Sequence, residues 1–317
     1  MNMERPKISV IIPVKNAEVV IGDCLEAVFA QSYEVYEVLV VDGHSKDRTV
    51  ERAKEFPVKI MYEDYGTVGG ARQVGLENAR GEYVAFTDAD CIPERDWLQN
   101  LVKEFSDDIV GVGGGIKNIG EGIWGRSIGL IMNTFVGSAN SVQGRLFKET
   151  RFVKSISGCN SMYRRETLLK IGGYNVTLSV NEETELNRKL SRFGRLLYTP
   201  DAVVLHNQGR GLRDFAKRMY QFGRGRGRLR LWDLQCAIPM IALCTFLSLV
   251  LTYVIFLSIT GLYFLILIVS GLKFAIEERD IKFLGSIPLI YVIEHSPYVF
   301  GFWIGLVSAF QERLSKL

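Results

Sequence analysis

The stretch Tyr83-Val84-Ala85-Phe86-Thr87-Asp88-Ala89-Asp90 decides the fold of this chain. Its apolar, aromatic and β-branched start follows the turn signal Ala79-Arg80-Gly81, which predicts a short buried strand. Carboxylates at the carboxyl end of such a strand lie where open α/β sheets bind their ligands. Two hard oxygen ligands there suit Mg²⁺ or Mn²⁺ bridging to a diphosphate. Asp-x-Asp is also common in solvated turns and helix caps, so the rest of the chain must decide between the two interpretations.

Short apolar runs alternate with helical patterns along the first part of the chain. We predict strands at residues 8–13, 35–41, 58–62 and 83–87. This alternation predicts an α/β fold with a mostly parallel, Rossmann-like sheet flanked by helices. Polar groups follow three strand ends, at Asp42, at the loop 69–72 and at Asp88 and Asp90. In this topology we expect all three to converge at one edge of the sheet.

That convergence suits a nucleoside diphosphate. Asp42 could accept hydrogen bonds from a base or ribose. The glycine-led helix start at 69–70 would offer backbone N–H groups, and Arg72 would add a fork for phosphate oxygens. Asp88 and Asp90 would bind the cation that neutralises the departing diphosphate. Each feature alone is also explained by an ordinary turn, loop or solvated side chain, so the ordered set carries the interpretation.

The chain resembles family 2 glycosyltransferases, which are inverting enzymes with the GT-A fold, over roughly residues 7–230. The motifs that carry the resemblance lie at residues 9–16, 40–49, 70–73, 86–90, 157–166 and 172–174. The resemblance implies a base and ribose pocket lined by Pro13, Val14, Asn16 and Asp42. It also implies that Asp88 lies near the ribose and the metal, and that Asp90 binds the metal directly.

An inverting transfer needs a carboxylate that takes the proton of the acceptor hydroxyl. The family supplies it from a Glu-Asp motif that opens a helix, and the matching run here is 181–190, with Glu183 in place of the aspartate. Glu182 is the rival assignment. The alternative is a surface helix whose first-turn acids favour the helix dipole. If the acceptor is a phosphate, the need for a base relaxes and Glu183 would only orient it.

Other side chains that could bind a metal are few. His206 follows a predicted strand at 202–205 and, in this fold, can be a third metal or diphosphate ligand; a plain strand-end histidine is the alternative. The cysteines show no C-x-x-C pair and no metal-binding spacing, so we expect buried, reduced thiols. They are Cys24, Cys91, Cys159, Cys236 and Cys244.

Residues 220–228 resemble the family's Gln-x-x-Arg region. Gln221 and Arg224 match it, but Gly225 replaces the tryptophan of processive members, which removes a stacking platform and favours a single transfer. We assign Gln221, Arg224 and Arg226 to donor binding, with the arginines on a diphosphate or a lipid phosphate. The alternative is a basic patch for anionic headgroups.

The C-terminal part of the chain is apolar. From 236 to 276 the one charged residue is Lys273, which predicts spans at about 236–257 and 259–276 with a turn at 258–261. A third stretch, 283–309, is interrupted by 294–297 and is expected to be membrane-embedded, with Glu294 and His295 facing protein or water or lying at the membrane interface. A buried hairpin of a soluble protein is disfavoured because neither half has a polar face.

Basic residues flank these predicted spans. Those before the first span are Arg210, Arg213, Lys217, Arg218, Arg224, Arg226, Arg228 and Arg230. The positive-inside rule then predicts a multi-pass cell-membrane protein with a cytoplasmic domain, 1–235, that includes a basic juxtamembrane segment, 208–235. The membrane domain is 236–317, and its 277–282 loop is also cytoplasmic.

These observations predict a membrane-anchored glycosyltransferase that moves a sugar, with inversion, from a UDP- or GDP-sugar to a polyprenyl-phosphate or other lipid-linked acceptor. The net charge of +3 gives no field for nucleic acid. One alternative is a sugar nucleotidyltransferase, but residues 13–16 stand where that class needs a glycine-rich loop with arginine. The other is a membrane scaffold with a degenerate nucleotide-binding fold. The sugar, the nucleotide and the oligomeric state stay open.

Overall fold

The computed structural model describes residues 5–138, 141–142, 144, 146–209, 211–232 and 234–315. The strands in these residues are β1 (Ile8–Val14), β2 (Glu37–Asp42), β3 (Lys59–Tyr62), β4 (Tyr83–Phe86), β5 (Cys91–Pro93), β6 (Ile109–Ile119), β7 (Arg151–Val153), β8 (Ser161–Arg164) and β9 (Arg195–Asn207). The helices are α1 (Ile21–Phe29), α2 (Thr49–Ala53), α3 (Val68–Asn78), α4 (Trp97–Val102), α5 (Gly122–Met132), α6 (Phe135–Ser138), α7 (Arg165–Lys170), α8 (Glu182–Leu190), α9 (Leu212–Leu229), α10 (Ala237–Leu251), α11 (Tyr253–Glu277) and α12 (Phe283–Leu314). A 3₁₀ turn at Leu234–Cys236 precedes α10.

The strands form one mixed sheet in the order β3-β2-β1-β4-β8-β6-β9-β5, with β7 paired to β9. The first four strands are parallel to one another. The pairs β4–β8, β6–β8, β5–β9 and β7–β9 are antiparallel. The α/β prediction is confirmed, and the parallel pairing is confined to the strands joined by the crossover helices α1, α2 and α3, as parallel neighbours require.

The decisive strand lies where the sequence predicts it. All four residues of β4 are buried, and β4 pairs with β1 so that Phe86 lies beside Ile11. On the other side of β1, Val14 lies beside Asp42 of β2. This register brings the carboxyl ends of β1, β2 and β4 to the same edge of the sheet, which is where we expected the ligand-binding residues.

The chain divides into two compact units. The first comprises Met1–Lys117 and Val142–Asn207, and the second comprises Asn118–Ser141 and Gln208–Leu317. The segments around α5 and α9 group with the apolar helices in this division, and the predicted domain boundary at 235 stays a prediction. Within the second unit, hydroxyl contacts tie the α5 region to α12: Ser127 Oγ lies 2.7 Å from Ser286 Oγ, and Thr134 Oγ1 lies 2.8 Å from the Tyr291 hydroxyl.

Among the described residues, α11 and α12 are the helices long and apolar enough to cross a membrane alone. The segments Leu212–Leu229 and Leu234–Leu249 are bent by 114° relative to each other. Counted as one broken helix, they would make a third span. The predicted turn at 258–261 is wrong, since α11 runs through it and the break lies at Thr252, in extended conformation. Ser258 donates its hydroxyl to the Val254 carbonyl, so its polar group is satisfied inside the helix.

The third apolar stretch is one continuous helix, α12, with Pro288 and Pro297 inside it. The ionisable pair Glu294 and His295 is buried. The Tyr263 hydroxyl from α11 lies 3.1 Å from His295 Nδ1. The pair therefore faces protein, which is one of the environments that we expected for it.

Four glycines bring α9 and α12 into backbone contact within the second unit. A Cβ on Gly223 would lie 2.0 Å from the Tyr298 carbonyl oxygen, and one on Gly227 would lie as close to another α12 carbonyl. In return, Cβ atoms on Gly301 and Gly305 would lie 2.2 and 2.1 Å from carbonyl oxygens of α9. We call this set of four residues the glycine contact; it is the close packing that small residues permit between helices.

Candidate active site

The loops after β1 and β2 are joined by hydrogen bonds. The Gly43 amide donates to the Val14 carbonyl at 2.9 Å. The buried Asp42 carboxylate accepts from the Ser45 amide at 3.0 Å and from the Ser45 hydroxyl at 2.5 Å. The amide of Asn16, which has a positive φ of 51°, donates to Ser45 Oγ at 2.8 Å. The structure thus brings together the residues predicted for the base and ribose pocket, Pro13, Val14, Asn16 and Asp42.

Arg72 lies in α3 and is only 2% exposed. Its Nη1 donates to Glu182 Oε1 at 2.7 Å, and its Nη2 donates to Asp88 Oδ1 at 2.9 Å. Burial alone would lower the pKa of Arg72, but the charges of Asp88 and Glu182 raise it well above its ordinary value. Arg72 is therefore a buried cation that joins the end of β4 to the start of α8.

The groups of the predicted phosphate cradle at 69–72 have partners inside the protein. The Gly69 amide donates to the Leu178 carbonyl at 2.9 Å, and the Gly70 amide donates to the N-cap hydroxyl of Thr67 at 2.9 Å. Both amides and both arms of the Arg72 guanidinium are thus engaged inside the protein. Arg72 holds two carboxylates here, and its assignment to donor binding stays a prediction.

Gly158 explains how so large a cation fits inside the unit. A Cβ at this position would lie 2.0 Å from Arg72 Nη1, so no larger residue leaves room for the guanidinium. The Tyr174 ring lies on another side of the same group, with its centroid 5.8 Å from Arg72 Cζ. The motifs at 157–166 and 172–174 therefore contribute walls of the Arg72 pocket.

The two candidate bases differ in their surroundings. Glu182, the first residue of α8, is buried and paired with Arg72. Burial and then the charge of Glu183 raise the pKa of Glu182, while Arg72 acts in the opposite direction. Glu183 is only half-buried, and its Oε1 accepts a hydrogen bond from Thr184 Oγ1 at 3.2 Å. The structure therefore separates a structural glutamate from one that solvent reaches.

Asp90 and His206 lie side by side. Asp90 Oδ2 is 3.5 Å from His206 Nε2, and the Asn207 amide donates to the Asp90 carbonyl at 2.9 Å. Their side chains are 22% and 12% exposed, and His206 Nε2 itself is buried. Carboxylate oxygens and an imidazole nitrogen are ligands that Mn²⁺ accepts, and carboxylates suit Mg²⁺, so these residues fit the expected cation. Asp88, by contrast, is directed to Arg72.

Two thiols lie beside this pair, a position that the sequence patterns do not predict. The ligand atoms of Cys91, Cys159 and His206 all lie within 4.8 Å of one another. Cys91 is opposite His206 in the antiparallel pairing of β5 with β9, a register that no local spacing reveals. The expectation of buried, free thiols is met by Cys24, Cys91, Cys159 and Cys236, whereas Cys244 is exposed on α10.

The remaining predicted donor residues belong to the second unit. Gln221 and Arg224 are exposed on α9, while Arg226 is buried there. Arg228 forms an ion pair with Glu312 of α12 at 2.9 Å. Arg210 of the basic segment lies outside the described residues. The assignment of Gln221, Arg224 and Arg226 to donor binding stays a prediction.

Known proteins of similar sequence are glycosyltransferases. The dolichyl N-acetyl-alpha-D-glucosaminyl phosphate 3-beta-D-2,3-diacetamido-2,3-dideoxy-beta-D-glucuronosyltransferase of Methanococcus voltae is 26% identical over 95% of this chain and 97% of its own length. The glycosyltransferase AglE of Haloferax volcanii is 29% identical over 74% of this chain and 77% of its own length.

Solved structures share the fold. A mannosyltransferase, PcManGT from Pyrobaculum calidifontis in complex with GDP-Man and Mn²⁺, matches 96% of this chain and 88% of its own with a TM-score of 0.61 and 18% identity. GalNAc-T7 with UDP, GalNAc and Mn²⁺ matches 70% of this chain and 48% of its own with a TM-score of 0.52, also at 18% identity. At this identity the likeness establishes the GT-A fold alone.

The family model named "Glycosyl transferase family 2" matches residues 9–172, which include the ends of β1, β2 and β4, Arg72 and Asp88. This match covers more than half of the chain. The chain therefore belongs to glycosyl transferase family 2.

Proposed function

We propose that this glycosyltransferase moves a sugar, with inversion, from a UDP- or GDP-sugar to a lipid-linked acceptor at the membrane. The observation that carries the proposal is the Arg72 bridge, which ties Asp88 beside the predicted metal ligands to Glu182 beside the predicted base. One buried cation thereby positions the donor end and the acceptor end of the reaction.

On the donor side, Asp90 and His206 would bind Mg²⁺ or Mn²⁺. When bound, the cation would supply the positive charge that stabilises the departing diphosphate. Asp88, oriented by Arg72, would complete the polar edge near the ribose. Asp42 and the β1 loop would receive the nucleoside, since they lie at the neighbouring strand ends.

On the acceptor side, Glu183 is the residue that we assign as general base. Glu182 is the poorer candidate because its carboxylate is buried against Arg72. Glu183 is half-exposed, so an acceptor hydroxyl could reach its carboxylate and transfer a proton to it as the sugar carbon is attacked. The longer glutamate side chain in place of the family's aspartate would place this base one methylene further from the helix.

The acceptor that we propose is a sugar carried on a polyprenyl phosphate. The Methanococcus voltae relative, similar over nearly the whole chain, is named for a dolichyl phosphate-linked sugar. A sugar hydroxyl needs a base, whereas a phosphate does not, so this acceptor is consistent with Glu183. The apolar α11 and α12 would bring such a lipid close, with the first unit in the cytoplasm by the positive-inside rule.

Family membership favours transfer over the two alternatives, a sugar nucleotidyltransferase and a scaffold without activity. The test uses the full chain in detergent with Mn²⁺, a panel of UDP-, GDP- and dTDP-sugars, and either a dolichyl phosphate-linked sugar or dolichyl phosphate itself. We expect a product with inverted anomeric configuration from the sugar-bearing lipid, lost in Asp90→Ala and retained in the surface variant Asp107→Asn. Absence of both turnover and binding for every donor would overturn the proposal.

A further inference from the structure

Three potential metal ligands lie close together beside β5, and a carboxylate lies next to two of them. The sulfur atoms of Cys91 and Cys159 and a ring nitrogen of His206 lie within 4.8 Å of one another. Asp90 extends this group, because its Oδ1 is 3.9 Å from Cys91 Sγ and its Oδ2 is 3.5 Å from His206 Nε2. Two thiols and one imidazole are thus spaced on the scale of the edges of a single coordination sphere, and one carboxylate lies beside Cys91 and His206.

The fold fixes these residues from three directions. Cys91 and His206 face each other across β5 and β9. Cys159 precedes the buried Asn160, whose amide donates to the Ala202 carbonyl at 2.9 Å and whose Oδ1 accepts from Trp97 Nε1 at 2.8 Å. These two contacts hold Asn160 to β9 and to α4. The position of the neighbouring Cys159 therefore does not depend on a mobile loop.

The donor chemistry selects the class of cation. Mg²⁺ requires oxygen ligands, and Mn²⁺ favours them, whereas Zn²⁺ and other thiophilic cations form tetrahedral sites with cysteine, histidine and carboxylate. We propose that Asp90, Cys91, Cys159 and His206 form a binding site for a thiophilic divalent cation of the Zn²⁺ class. Each cysteine would release its thiol proton to solvent as its sulfur binds the cation, giving two protons per cation.

Access to the site is through its exposed side. Both thiols and His206 Nε2 are buried, while the Asp90 side chain keeps exposed surface, so a cation would reach the carboxylate first. Asp90 and His206 are also the proposed ligands of the catalytic Mg²⁺ or Mn²⁺. A thiophilic cation and the catalytic cation would therefore exclude each other, a consequence that rests on the proposed function, whereas the binding itself does not.

The test titrates Cd²⁺ into the metal-free, phosphine-reduced full chain in detergent and records the ultraviolet absorption of cadmium thiolate bonds. We expect a saturable band for one cation per chain that is displaced by Zn²⁺. Cys91→Ser and Cys159→Ser should each weaken Cd²⁺ binding by about tenfold or more, since even outer-shell changes cost roughly 10- to 100-fold. Cys244→Ser, which removes an exposed thiol outside the group, should leave the band unchanged.

A wild-type chain without the thiolate band would overturn the proposal, whether or not the variants fold. An equal loss in Cys244→Ser would overturn it too, because the band would then come from scattered thiols. Release of bound Mn²⁺ by Zn²⁺, followed by electron paramagnetic resonance, tests the mutual exclusion. If the chain shows the cadmium band but binds no nucleotide sugar, the proposed function fails while this site stands.

Discussion

Arg72 and Glu182 form a buried ion pair, with 2.7 Å between Nη1 and Oε1. The partners are distant in sequence, on α3 and at the first position of α8, and the same guanidinium also binds Asp88. The pair distinguishes Glu182 from Glu183, the two adjacent glutamates that the sequence offers as candidate bases. Glu182 is buried against Arg72, whereas Glu183 is partly exposed, which is why we propose Glu183 as the base.

Glu183→Gln should remove the proposed base without disturbing the fold. We expect kcat to fall by about 10²- to 10⁴-fold, the usual contribution of general base catalysis, with donor affinity and melting temperature unchanged. Steady-state kinetics and donor titration measure these quantities. Wild-type kcat in Glu183→Gln would instead indicate an acceptor that is already an anion, such as a phosphate.

Removing Arg72 should destabilise the first unit. Arg72→Met would leave Asp88 and Glu182 without their shared cation, and breaking a buried ion pair on one side costs about 3–5 kcal/mol. We expect a clear drop in the melting temperature, partly restored in the double variant with Glu182→Gln, which also removes a buried charge. Equal stability of Arg72→Met and wild type would show that this bridge contributes nothing to the fold.

Asp90 and Asp88 should respond differently to loss of charge. Asp90→Asn is expected to weaken Mn²⁺ binding and to lower kcat/KM by more than about a hundredfold, since a metal supplies several kcal/mol of charge stabilisation. Asp88→Asn should mainly lower the melting temperature, because Asp88 is paired with Arg72. Mn²⁺ titration and thermal unfolding distinguish the two, with Asp107→Asn as the exposed control. Wild-type Mn²⁺ affinity in Asp90→Asn would argue against the assigned ligand.

The glycine contact makes a prediction about stability in detergent. Gly227→Ala would place a Cβ 2.0 Å from the Phe302 carbonyl oxygen and should cost about 1–3 kcal/mol through overpacking. Gly285→Ala is the matched control, because a Cβ there meets nothing within 4 Å. Gly285 lies in the first turn of α12, where an added methyl group meets open space, so that change should be neutral or slightly stabilising. Melting temperatures of the two variants in opposite order would contradict the contact.

Local patterns predict the edge of the sheet well. The strand that ends before Asp88, and the place of Asp42 at the end of β2, follow from apolar runs and their polar ends. The turn at 258–261 fails because serine and glycine signal a turn in water, whereas in an apolar helix the backbone itself satisfies the Ser258 hydroxyl.

Contacts between distant segments are beyond the reach of such patterns. The partners of Arg72 lie on separate elements, and the Cys91–His206 neighbourhood depends on the pairing of β5 with β9. Strand register and helix placement decide these contacts, and neither is written in local spacing. The motif at 157–159 could have suggested a tight space through Gly158, but not that an arginine fills it.

The glycine contact also fixes where the arginines of α9 lie along the length of α12. With α9 and α12 touching backbone to backbone, and Arg228 paired to Glu312, neither helix can slide along the other without losing its fit. The depth to which a bilayer admits α12 therefore dictates the height of every arginine on α9. A single residue inserted ahead of Gly301 would turn the helix face by about 100° and uncouple the two, because an α-helix has 3.6 residues per turn.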